Sequence, residues 1–117
     1  MNEQNGNIKI SENVIASIAV KASTEIKGVD HVSSKLPGYV KSIIPNVKSP
    51  LHGVSVVRTD NGLDLTVPLV VVHGCRINEV SAAVQKKVAD AVSSMTGISV
   101  SRVNIFVVGI VGGEAES

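Results

Sequence analysis

The chain has 117 residues, 44% hydrophobic and 18% charged, which is enough apolar mass for one folded domain and excludes a disordered tail or an acidic linker. Eleven Lys and Arg against ten Asp and Glu leave a net charge of +1, with no global field to hold a polyanion, and the lone Cys75 excludes an internal disulfide and a four-cysteine zinc site. A polar start with no apolar core excludes a secretory signal, and no stretch reaches the roughly 20 apolar residues of a membrane span, so a cytoplasmic chain without direct membrane insertion is expected.

Residues 7–10 alternate weakly and predict a short edge strand. A first helix is expected over residues 11–27, with Ile15, Ile18, Ala19, Ala22 and Ile26 as one stripe, Ser11 as N-cap and Gly28 as stop. A short strand follows over residues 29–33. Residues 34–52 hold three of the four prolines and read as irregular, with Tyr39, Val40, Ile43 and Ile44 forming about one helical turn. The same stretch carries Lys35, Lys41 and Lys48 without an acidic residue, a candidate basic contact loop.

Two alternating runs, 54–59 and 63–67, flank Asp60-Asn61-Gly62 and predict a hairpin. A two-residue turn at Asn61-Gly62 sets Val56 opposite Val67 and Val54 opposite Leu69. Pro68 lacks an amide donor and must sit at an edge, a bulge or a non-bonded position, and an interruption of the second strand is expected there. Asn78 is the expected cap of a second long helix ending near Thr96, with Ile77, Val80, Val84, Val88, Ala91 and Met95 as its stripe and Gly97 as its stop. A last strand over residues 99–108 closes a strand-helix-strand crossover long enough for a parallel pair. The pattern predicts an α+β fold, a two-layer sandwich with two helices packed on one face of a mixed, mostly antiparallel sheet. It forms a single domain over residues 1–117, with a core of about 8–110 and loose ends.

Helices on one face leave the other to be explained. With Leu65, Val67, Val103 and Ile105 turned to the helices, Val57, Val70, Val72, Phe106 and Val108 turn away, among Thr66, Arg102 and Asn104. These five define a candidate interaction surface, unless residues 34–52 fold across it. For chemistry the pattern is poor. His73 and Cys75, two apart in a strand, would share a face, but no third group completes a nucleophile or a metal set with His31 or His52. No phosphate loop, dinucleotide fingerprint or nucleophile elbow is present. The expectation is no catalytic residue, no metal and no cofactor.

Four stretches carry a family resemblance: residues 8–15 (Ile8 to Ile15), Glu25-Ile26-Lys27-Gly28-Val29, Asn78-Glu79-Val80 through Val84-Gln85, and Met95-Thr96-Gly97-Ile98 through Val103-Asn104-Ile105-Phe106-Val107-Val108-Gly109-Ile110. Together they resemble the alkaline shock protein family, the envelope stress response proteins of Gram-positive bacteria. The resemblance implies a small cytoplasmic protein without enzymatic activity, tied to cell-envelope homeostasis, in a family where some members self-assemble and are held at the membrane by a separate membrane protein. The expected function is therefore an interaction or scaffold protein, a homo-oligomer that docks to a membrane-anchoring partner at the inner face of the membrane. The alternative is a small RNA-binding module using the basic 35–58 region, with Lys35, Lys41, Lys48 and Arg58 meeting phosphates. Neutral charge and the scarcity of aromatics, Tyr39 and Phe106 alone, argue against nucleic acid.

Overall fold

A computed structural model describes residues 8–44, 46–47 and 50–112. Of the strand expected over residues 7–10, Asn7 lies outside the described residues and residues 8–10 form no strand; the Ile10 carbonyl instead accepts from Arg58 Nη2 at 2.7 Å. Helix α1, Glu12–Thr24, starts where the sequence places it, because Ser11 is extended and its hydroxyl accepts from the Val14 amide at 3.2 Å. It ends before residue 27: the Glu25 and Ile26 amides turn back to the carbonyls of Ala22 and Ser23, so Ile26 leaves the helix axis and packs against the core from a turn.

The sheet is built on one long strand. Strand β1 is Val29–Val32, the short helix α2 is Val40–Ile43, β2 is Ser55–Thr59 and β3 is Gly62–Val72. Helix α3, Ile77–Thr96, then crosses to β4, Val100–Val111. β4 runs parallel to β3 along its whole length, while β2 and β1 pair antiparallel with it, at residues 62–66 and 69–71 respectively. The result is the expected mixed, mostly antiparallel sheet with α1 and α3 on one face.

Pro68 does not interrupt β3, which is continuous. Its carbonyl accepts from the Ser33 amide at 2.9 Å, so its missing donor points to the same edge, at the gap between β2 and β1 where no ladder bond is needed. The hairpin also differs from expectation: Thr59 pairs with Gly62 and Val56 with Leu65, which makes Asp60-Asn61 the two-residue loop. The Thr59 hydroxyl holds the turn, bonded to the Asn61 amide at 3.2 Å and the Gly62 carbonyl at 2.8 Å. Gly62 is then the first strand residue, at φ +128°, with the Ser99 carbonyl 2.5 Å from where a Cβ would stand. The shift moves the pairing by two positions, so every side chain keeps its predicted face.

Helix α3 has Arg76, not Asn78, at its N-cap, and its buried stripe is Val80, Val84, Val88 and Val92. Four-residue steps advance about 40° each along a helix, so the stripe drifts away from Ala91 and leaves Met95 71% exposed. Gly97, left-handed at φ 75°, ends the helix as expected. Between the layers, Leu63, Leu65, Val67, Leu69 and Val71 of β3 meet Ile15, Ala16, Ala19 and Ala22 of α1 and the valines of α3 in one core. The alanines let α1 lie close beside α3.

Candidate interaction surface

Register alone lays out the other face of the sheet. Read across the strands, its rows are Val57, Asp64 and Arg102; Ser55, Thr66 and Asn104; Pro68 and Phe106; His31, Val70 and Gly109; Val72 and Val111. The first two rows are polar and the last three mainly apolar. The five residues singled out from the sequence are therefore divided: Val57 sits in the polar half, and Val70, Val72, Phe106 and Val108 belong to the apolar half. Val108 is the extra residue of a bulge between Val107 and Gly109, which re-aims the strand locally.

The polar half is tied together by one amide. Asn104 Nδ2 donates to Asp64 Oδ1 at 2.8 Å, with Thr66 Oγ1 and the Leu65 carbonyl both at 3.3 Å. Ser55 and Thr66 beside it are 0% and 1% exposed. Buried hydroxyls and amides persist only when bonded, so this ladder is a structural network rather than an open polar site.

The apolar half is strapped. After β1 the chain crosses this face, anchored by the Ser33 amide on Pro68 and by the Tyr39 ring, whose centroid lies 6.2 Å from that of Phe106 at 58°. Val40 is fully buried although it takes no part in the helix-side core. The strap returns through a Leu51 and Val54 bridge and Gly53, whose φ of +86° and contact with the Ser33 carbonyl leave no room for a Cβ. The described residues between Ser33 and Ile44 thus cover the middle of the face: Pro68 and Val70 are buried, Val57, Phe106 and Val108 half-buried. Beyond it Val72 stays 41% and Val111 37% exposed, and the strap itself turns out Tyr39 at 54% and Ile43 at 58%. Tyr39 and Ile43 were not among the sequence candidates. The signal was present, since the chain's one Tyr and one Phe meet here.

Lys35 and Lys41 are exposed on the strap, and Lys48 lies outside the described residues. Arg58 is committed elsewhere, to the Ile10 carbonyl and to Glu12 Oε2 at 3.6 Å, so it fastens the segment before α1 rather than joining the lysines. His73 and Cys75 stand in a turn, with the Cys75 amide on the Val72 carbonyl at 3.2 Å, and the strand argument for a shared face does not apply to them. Cys75 packs half-buried against the core; His31 is bonded to Asp30 at 2.6 Å. Among the described residues no three His, Cys, Asp or Glu side chains gather as a metal site, and no helix is long and apolar enough to cross a membrane.

Fold and surface define a class: a two-layer α+β protein whose distinctive feature is a half-strapped apolar sheet face. The chain belongs to the alkaline shock protein 23 family, which has a cell envelope-related function and whose pattern matches residues 1–112. Similar relatives are the uncharacterized proteins Spy1614 of Streptococcus pyogenes serotype M6 and YqhY of Bacillus subtilis. The first is 34% identical over 113 residues, 92% of this chain and 89% of the relative. YqhY is 31% identical over 107 residues, 90% of this chain and 77% of the relative. Among solved structures, a MamM CTD variant superposes with TM-score 0.53 at 10% identity, over 87% of this chain and 100% of its own. A copper form of another MamM CTD variant gives TM-score 0.53 at 9% identity over the same shares. At such identity the likeness shows the fold.

Proposed function

We propose that the chain is a non-catalytic interaction protein of the cell envelope, self-associating and docked at the inner face of the membrane through a membrane-anchored partner. The observation that carries this reading is the apolar half of the outer sheet face, continued onto the strap by Tyr39 and Ile43 and left open at Val72 and Val111. Large apolar side chains gathered outside the core mark a contact surface. Lys35 and Lys41 give the strap a positive rim for an acidic border on the partner.

The test is membrane flotation of the tagged chain from its native cells after mild cross-linking. The chain floats with a cross-linked membrane protein, and Val72→Asp abolishes that recovery while the purified variant keeps its fold. A wild-type chain that stays in the dense fraction with no membrane protein attached sinks the anchoring, and an unaffected Val72→Asp sinks the surface.

A further inference from the structure

The two outer edges of the sheet are built differently. On one side lie β1 and β2, four and five residues long, with Asp30, His31 and Arg58 along them. Short, charged strands are how sheets keep an edge from pairing. On the other side lies β4, twelve residues long, with no proline and no charged residue from Val103 to Val111. Among the described residues no strand pairs with its far edge.

Which groups point to that edge follows from the ladder. Leu63 directs its amide to the β4 side and Pro68 its carbonyl to the β1 side, so the odd-numbered residues of β3 bond β4. In a parallel pair each of them is held by the β4 neighbours of its partner, here Arg102, Asn104 and Phe106. Val103, Ile105 and Val107 therefore turn their amides and carbonyls outward. The Val103 carbonyl confirms the direction, accepting from Gln85 Nε2 of α3 at 3.0 Å. Ile105 and Val107 sit between two register shifts, one near residue 101 and one at Val108, on a regular stretch of strand.

We propose that this edge pairs with the same edge of a second copy, antiparallel and centred on Ile105, so that the sheet continues through a two-fold axis. The proposal rests on the self-association reading above and gives it a surface distinct from the docking face. The outward amides of this stretch and the Ile105 and Val107 carbonyls have no strand partner among the described residues, and the Val103 carbonyl keeps a second lone pair beside its bond to Gln85; groups at strand spacing call for another strand, and the antiparallel arrangement closes as a symmetric pair. Ile105 then faces Ile105 of the other copy and Val103 faces Val107, apolar against apolar, while Asn104 faces Phe106 and Arg102 faces Val108. No like charges meet, and the half-buried Ile105 and Val107 gain cover on the helix side.

The experiment is sedimentation of the full chain over a range of concentrations, with amide hydrogen exchange on the same samples. The expected result is a dimer in which the Ile105 and Val107 amides, which have no intrachain partner among the described residues, exchange about 100-fold more slowly than in the diluted monomer. The Phe106 amide, bonded to β3, stays slow in both. Ile105→Pro removes an outward donor and no ladder bond to β3, so it raises the dimer dissociation constant roughly 100-fold with the Phe106 amide still protected. Val107→Lys serves the same purpose should the proline variant fail to fold. A dimer whose Ile105 and Val107 amides exchange freely overturns the edge and leaves self-association standing. A chain that is monomeric throughout overturns both, while Val72→Asp flotation still decides docking.

Discussion

The two faces of the sheet are covered in different ways. On the helix side every second residue of β3, from Leu63 to Val71, is at most 1% exposed, under two helices of thirteen and twenty residues. On the other side the same strand passes from Asp64 through buried Thr66 and Pro68 to an exposed Val72, under a strap with a single helical turn. Helices bring long apolar stripes whose burial is nearly complete once they dock. A strap brings a few contacts at chosen points and leaves the rest of the face exposed, as at Val72.

Substitutions should separate the two sides by size of effect. The largest loss is expected at the helix face, where Leu69→Ala opens a cavity in the core and lowers stability by about 3 kcal/mol in urea unfolding. Next comes the polar ladder. Asn104→Ala strips Asp64 and Thr66 of a donor, and a loss of about 1–2 kcal/mol is expected by the same measurement, with the Asp64→Asn partner variant recovering part of it by removing the uncompensated charge. Tyr39→Ala breaks the ring contact that anchors the strap and should cost about 1 kcal/mol, while amide exchange in residues 33–44 accelerates and that of α3 does not. Smallest of all is Val72→Asp, expected to stay within about 0.5 kcal/mol of the parent because the side chain is partly exposed at the end of the strand and outside the core. A Val72→Asp loss as large as that of Leu69→Ala would erase the distinction between the faces.

The hairpin shows why faces were easier to read than pairings. Placing the turn at Asn61-Gly62 put Val56 opposite Val67, whereas the strands pair Val56 with Leu65. Side chains alternate with period two, so a shift of two leaves the inner and outer sets unchanged. Positions set by a single local rule were legible in the same way, as with Ser11 capping α1 and Gly97 ending α3. Where a distant residue intervenes, the local rule failed. Gly62 is claimed by the approach of Ser99, and Pro68 takes a non-bonded position as its missing donor requires, but at the gap between β2 and β1 it does so without the expected interruption.

The candidate surface follows that pattern. Alternation was sufficient to turn Val57, Val70, Val72, Phe106 and Val108 away from the helices. It carried no information on which of them the strap after β1 would cover.

By itself the sequence determined the two amphipathic helices, the alternating strands, the parallel crossover and the inner face of the sheet, because each depends on spacing within one element. Only the tertiary structure decided that β1 and β2 share one edge of β3, that Tyr39 meets Phe106, that Arg58 is occupied by Ile10 and Glu12, and that no strand among the described residues pairs with the far edge of β4. Those are contacts between residues dozens of positions apart, and no periodicity in the chain encodes which of many apolar or charged residues will meet.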